Sequence, residues 1–310
     1  MRLTDSPDPP KASTWTRRPE RSSMAVLRLM TWLSLRLGRR ASRLVLYPIA
    51  AYFVLFAPAA RRASKDYLRR VLGRRATIRD GFRHVLAFAT VIHDRVYWLC
   101  GRSDLFDAPI QGSELLAEYR RAGRGIVFMG AHFGSFEALR MLGDRHGLDV
   151  RMLMYTENAR MVTQTLAAIN PSVKDHVIAL GRGDALLRVR DHLDAGGCVG
   201  ILADRSLKDD QGKERRVEFL GDPAPFPVGP FRLAALLRAP VVFMAGSYLG
   251  GNRYHLCFES IADFRGVAPD EREAAIEHAV QRFAALLQER CQAAPWNWFN
   301  FYDFWNASHD

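Results

Sequence analysis

His132 and Glu137 are the first residues whose chemistry and spacing stand out. They lie in the segment Gly130-Ala-His-Phe-Gly-Ser-Phe-Glu-Ala-Leu139. A carboxylate beside an imidazole fixes its tautomer and supports its charged form. An imidazole held in this way is a general base able to activate a hydroxyl. Five positions apart on one continuous helix, the two side chains would point well around the cylinder from each other. With His132 in a turn and Glu137 in the first turn of the following helix, they converge. The plainer alternative is a histidine that only caps that helix. Ser135 stands where an N-cap is expected. Phe133-Gly-Ser-Phe-Glu137 is not the G-x-S-x-G elbow of serine hydrolases, which argues against a serine nucleophile.

The elements that must position this pair follow from hydrophobic periodicity. Gly125 to Met129 reads as a buried strand and Phe136 to Arg145 as a helix, so His132 falls at a strand-to-helix turn. Strands are expected at Val150–Met154, Val177–Leu180, Cys198–Ala203 and Val241–Ala245, with a more exposed one at Tyr254–Glu259. Helices are expected at Asp184–Ala195, Phe231–Arg238 and Glu271–Gln292. Strands alternating with helices predict an α/β fold, a layered, mostly parallel sheet flanked by helices. In such sheets ligands bind beyond the carboxyl ends of the strands, where His132 is expected.

The chain has 310 residues and a net charge of +11, unevenly spread. Residues 1–75 hold 17 Lys/Arg and 4 Asp/Glu, a balance of +13, whereas the remainder holds 27 and 29, a balance of −2. Apolar runs separate the N-terminal arginines, a pattern that suits anionic lipid headgroups better than nucleic acid. Residues 1–23 are rich in Pro, Ser and charge and read as a disordered basic tail. Met24 to Arg40 alternates apolar and basic positions as an amphipathic helix does. Leu44 to Ala60 has no charged residue, and arginines flank it on both sides. Seventeen residues is the lower limit for a membrane span, and Pro48 and Pro58 would kink it. A hairpin dipping into one leaflet, an interfacial helix and a buried core helix all fit this stretch. The four cysteines, Cys100, Cys198, Cys257 and Cys291, show no C-x-x-C, and the histidines show no metal spacing. The cysteines are expected as reduced core residues, and no metal site is expected.

The chain from about 24 to 305 resembles the bacterial lysophospholipid acyltransferase superfamily, in its branch of lipid A late acyltransferases. His132-Phe-Gly-Ser-Phe-Glu137 is similar to the family's H-x4-D/E motif. Gly200-Ile-Leu-Ala-Asp-Arg205 is similar to a family strand that ends in Asp-Gln, with Arg205 in place of Gln. Val217-Glu-Phe-Leu-Gly221 resembles V-x-F-F-G, and Pro225-Phe-Pro-Val-Gly-Pro-Phe231 resembles the segment before the helix that lines the acceptor site. Trp296-Asn-Trp-Phe-Asn-Phe-Tyr-Asp-Phe-Trp305 is close to the branch's C-terminal aromatic signature. The four motifs occur in the family's order.

This resemblance implies a membrane-associated O-acyltransferase of the bacterial inner membrane, with its active site on the cytoplasmic side. A fatty acyl group would move from acyl carrier protein or a coenzyme A thioester to a hydroxyl of a lipid or lipid-linked acceptor. No cofactor and no nucleic acid are implied. His132 would be the general base and Glu137 its orienter, with backbone N–H groups of Gly134 and Ser135 facing the developing oxyanion. Arg205 and Asp204 would position the acceptor or form a structural ion pair, and Arg182 would bind an anionic group or lie solvated in a loop. Phe219, Gly221 and Gly229 are the remaining candidates on the substrate side, both glycines also serving tight turns. Trp296, Trp298 and Trp305 would line an acyl groove, sit at the membrane surface or pack in the core. The expected organisation is a tail over 1–23, anchoring helices over 24–62 and an acyltransferase domain over 63–310. The rival functions are a thioesterase or lipase-like hydrolase and a non-catalytic lipid-binding membrane protein.

Overall fold

A computed structural model describes residues 21–145, 147–155, 166–167, 169–170, 175–181, 183–205 and 214–306. Four helices come first: α1 (Arg21–Ser42), α2 (Leu46–Phe56), α3 (Pro58–Leu72) and α4 (Ile78–Leu99). Pro48 lies in the first turn of α2 and Pro58 is the first residue of α3, positions where the missing proline N–H is not needed. A 3-10 turn links α1 to α2, and the apolar run breaks at Ala57 rather than continuing as one helix. Thr77 and Asp80 form a reciprocal capping box that starts α4. Among the described residues the further helices are α5 (Ser113–Arg121), α6 (Phe136–Arg145), α7 (Ala185–Asp194), α8 (Gly229–Leu236) and α9 (Arg272–Ala293).

The main sheet holds β1 (Ile110–Gln111), β2 (Ile126–Gly130), β3 (Val150–Tyr155), β4 (Val177–Leu180), β5 (Cys198–Leu202), β8 (Pro240–Gly250) and β9 (Arg253–Asp263). Their spatial order is β1-β9-β8-β2-β5-β3-β4, and every pairing is parallel except the β8–β9 hairpin. The mostly parallel α/β sheet expected from the sequence is therefore present. All five residues of β2 are buried, as a central strand covered on both faces requires. A separate hairpin, β6 (Glu214–Phe219) with β7 (Asp222–Pro227), was not legible from periodicity. Pro223, Pro225 and Pro227 disguise β7, but each lies opposite a residue of β6 at alternate positions, so the lost amides all fall on one edge.

The N-terminal helices are packed onto the sheet domain. Arg39 makes two hydrogen bonds to the fully buried Asp94 of α4, at 2.7 and 2.6 Å, and a third to Gly251 O in the β8–β9 turn. Tyr254 OH donates to the same Asp94 carboxylate at 2.8 Å. The boundary expected at residue 62 lies inside α3, and the tail expected over 1–23 lies outside the described residues as far as residue 20. Among the described residues, no single helix is long and apolar enough to cross a membrane; Thr31–Phe56 and Pro58–Leu72 reach that test only as a pair, bent by 96°. On α2, Tyr52, Leu55 and Phe56 are exposed, as is Tyr47, whose ring meets Phe82 of α4. Cys198, Cys257 and Cys291 are buried free thiols, whereas Cys100, expected in the core, is exposed just after α4.

Candidate active site

Strands β2 and β5 are parallel neighbours in a register that sets Gly130 opposite Leu202. His132 is two residues beyond the first strand end and Asp204 two beyond the second, so both loops deliver their side chains to one point. His132 Nδ1 is 2.9 Å from Asp204 Oδ1, and the His132 backbone N–H donates to Oδ2 at 3.0 Å. The indole N–H of Trp298 donates to Oδ2 at 2.9 Å. Burial pushes the Asp204 carboxyl up, but the charge and hydrogen bond of His132, with Arg205 and Trp298 behind them, more than reverse this and hold it at about 2. At neutral pH Asp204 is thus an anion that accepts and cannot donate. Nδ1 of His132 must carry the shared proton, which leaves the Nε2 lone pair free for another task. The His132 side chain is 35% exposed, whereas Asp204 is wholly enclosed.

Glu137 is not the carboxylate on Nδ1 of His132. It turns toward α4, where Arg95 Nε lies 2.7 Å from its Oε1. Glu137 is buried, and its Oε2 has no hydrogen-bond partner among the described residues. Helix α4 packs on α6 and brings Arg95 to the first turn of α6.

The amides expected to face an oxyanion are already engaged. The N–H of Gly134 donates to Asn297 O and that of Ser135 to Gly246 O, both at 2.8 Å. The N–H of Phe133 donates to Ala131 O. Ser135 itself caps α6 as expected, its Oγ accepting the Ala138 N–H. This loop is pressed against β8 so closely that a Cβ on Gly134, whose φ is +58°, would lie 1.9 Å from Gly246 O. Only glycine fits there.

The C-terminal aromatic run builds the other wall. Phe133 pairs with Trp298 in an antiparallel bridge, and Phe299 N–H donates to His132 O at 2.8 Å. The Asn297 side chain mimics a strand partner, accepting from Tyr248 N–H and donating to Tyr248 O. Trp298 and Trp305 are core residues, and Trp296 is half-buried.

His132 faces a cleft of about 510 Å³ lined also by Arg95, Phe136, Leu202, Arg205, Phe299 and Tyr302. Arg205 donates to Phe299 O at 2.9 Å and stacks over the Tyr302 ring. A second cavity, of about 620 Å³ and almost wholly apolar, lies among α1 to α4. Phe88, Ile92 and Phe301 line both spaces, so the cavity adjoins the cleft. Phe219, Gly221 and Gly229 do not line the cleft. Phe219 is buried edge-on against Phe226 and Trp298, Gly221 forms the β6–β7 turn with φ of +88°, and Gly229 begins α8. Arg182 lies outside the described residues. Arg95 had no signal in the sequence beyond one basic residue on a helix. Among the described residues no group of three or more His, Cys, Asp or Glu is placed to hold a metal ion.

Comparison with known proteins sets this geometry in a family. No curated protein matches the sequence. Among solved structures, the 1-acyl-sn-glycerophosphate acyltransferase PlsC from Thermotoga maritima aligns with a TM-score of 0.40 and 14% identity, over 87% of this chain and 98% of that one. The family model described as bacterial lipid A biosynthesis acyltransferase matches residues 14–306, which is nearly the whole chain. Such a match includes His132, Asp204 and the aromatic C-terminal run alike, and the chain belongs to the bacterial lipid A biosynthesis acyltransferase family.

Proposed function

We propose that the protein transfers a fatty acyl group from a thioester, on acyl carrier protein or coenzyme A, to a hydroxyl of a lipid, with His132 as the general base and Asp204 as its orienter. The observation that carries this reading is the 2.9 Å contact of His132 Nδ1 with the buried Asp204 carboxylate. Nδ1 is bound to an ionised, buried carboxylate, so Nε2 presents its lone pair to a cleft beside an apolar cavity.

In the step so assigned, Nε2 takes the acceptor's hydroxyl proton as its oxygen bonds to the thioester carbonyl carbon. The carbonyl π pair moves onto oxygen and makes a tetrahedral oxyanion. When that pair returns, the C–S bond breaks, and the leaving thiolate takes the proton from Nε2. Asp204 steadies the imidazolium between these two transfers. The apolar cavity among α1 to α4 suits the acyl chain, since burial of each methylene there is favourable by about 0.8 kcal/mol. Membrane association belongs to the same reading. The exposed aromatic face of α2 and the N-terminal excess of arginine fit an interfacial attachment to an anionic leaflet.

The test is His132→Ala, assayed for acyl transfer from lauroyl–acyl carrier protein or lauroyl-coenzyme A to a bacterial lipid extract. Turnover is expected to fall by about 10²–10⁴-fold, with an unchanged circular dichroism spectrum. Normal turnover in that variant would remove the assignment.

A further inference from the structure

The backbone around the base leaves the oxyanion without an obvious partner. Every N–H from His132 to Ser135 is spent on a carboxylate or a carbonyl. Charge developing on the thioester oxygen still needs a donor aimed at it. Two guanidinium groups line the cleft with His132, those of Arg95 and Arg205. Arg205 spends one amino group on Phe299 O and lies over the Tyr302 ring. Arg95 forms an ion pair with the buried Glu137, its Nε 2.7 Å from Oε1, and that carboxylate meets no other partner among the described residues. With Nε set beside Glu137, the amino groups of Arg95 make no hydrogen bond among the described residues, and the side chain lines the cleft.

We propose that Arg95 stabilises the tetrahedral oxyanion and that Glu137 is the positioning residue that holds Arg95 for this work. The inference rests on His132 being the base. It gives the five-residue spacing of His132 and Glu137 a different meaning. The two ends of one strand-to-helix turn serve opposite sides of the reacting carbonyl, His132 acting on the attacking hydroxyl and Glu137 acting through Arg95 on the oxygen that gains charge. No atom is transferred by Arg95; its cation lowers the energy of the intermediate and releases it when the carbonyl re-forms.

The experiment is a double-mutant cycle on Arg95→Ala and Glu137→Gln, with Arg95→Lys as a folded control, measured as thiol release from lauroyl-coenzyme A and lauroyl–acyl carrier protein in the presence of a bacterial lipid extract. Arg95→Ala is expected to lower kcat by about 10²–10³-fold with little change in donor KM, and added guanidinium chloride at low concentration is expected to restore part of the rate. Glu137→Gln is expected to lower kcat less, and to cost little more once Arg95 is gone, because a residue acting through another loses its effect with it. A loss confined to KM would overturn the proposal and make Arg95 a binding residue. A Glu137→Gln penalty that persists undiminished in the Arg95→Ala background would overturn the positioning role. Failure of the base assignment is separate, since it shows as an active His132→Ala whatever this cycle gives.

Discussion

At the scale of single residues, the identity of the partner decides what His132 does. A histidine bound through Nδ1 to a carboxylate is a base of fixed tautomer, and Asp204 is the group in contact. Three donors converge on that carboxylate: His132 Nδ1–H, the His132 backbone N–H and the Trp298 indole. An asparagine in its place sets an NH2 group against at least one of them and favours the wrong imidazole tautomer. Asp204→Asn is expected to lower kcat by about 10³–10⁴-fold, and the double variant with His132→Ala should be no slower than the single one. Steady-state rates on the three variants check this; a nearly normal Asp204→Asn enzyme would mean that the aspartate only holds the loop.

At the scale of elements, α4 is the hub of the site. It carries Asp94 for the Arg39 latch, Arg95 for Glu137 and His84 for the C-terminal run. His84 is wholly buried, its Nε2 2.8 Å from Trp298 O and its Nδ1 2.8 Å from Ser64 Oγ. A carbonyl only accepts, so Nε2–H donates to Trp298 O and Nδ1 accepts the serine hydroxyl. Burial pushes His84 down to about 4 against the pull of the Trp298 carbonyl. The folded state therefore holds His84 neutral where the unfolded chain, with its ordinary value near 6.5, takes a proton. The stability this neutral histidine permits is complete above about pH 6.5 and is lost as pH falls toward 4, by roughly 2–3 kcal/mol. Urea unfolding at pH 7 and pH 4.5 should show that slope, and His84→Gln should flatten it; an unchanged slope would place the acid sensitivity elsewhere. The elements themselves were largely legible in the sequence, because β2, β5 and α6 have clear periods and ends. What periodicity cannot give is register. The match of Gly130 to Leu202, which joins His132 to Asp204, and the crossing that turns Glu137 to Arg95 depend on contacts between distant segments.

At the scale of the whole molecule, the asymmetry of charge and apolar surface has a direction. Leu55 and Phe56 are 58% and 68% exposed on α2, left uncovered by the described residues, and Arg61 and Arg62 lie in the first turns of the next helix, α3. Such a face is expected to enter the headgroup region of an anionic bilayer. The double variant Leu55→Glu, Phe56→Glu should no longer co-sediment with phosphatidylglycerol vesicles at low salt, while the intact protein should be only partly released by high salt. Undiminished sedimentation of the variant would shift the attachment to another surface. The same long-range architecture also fixes an order in time. Domains fold as they leave the ribosome, N-terminal part first, yet the wall behind His132 is made by Asn297, Trp298 and Phe299. A nascent chain whose strands have already assembled still lacks the indole that secures Asp204 and the amide that fixes the His132 carbonyl. His132 and Asp204 thus wait for residues 297–299, made after every strand of the main sheet, before their surroundings are complete.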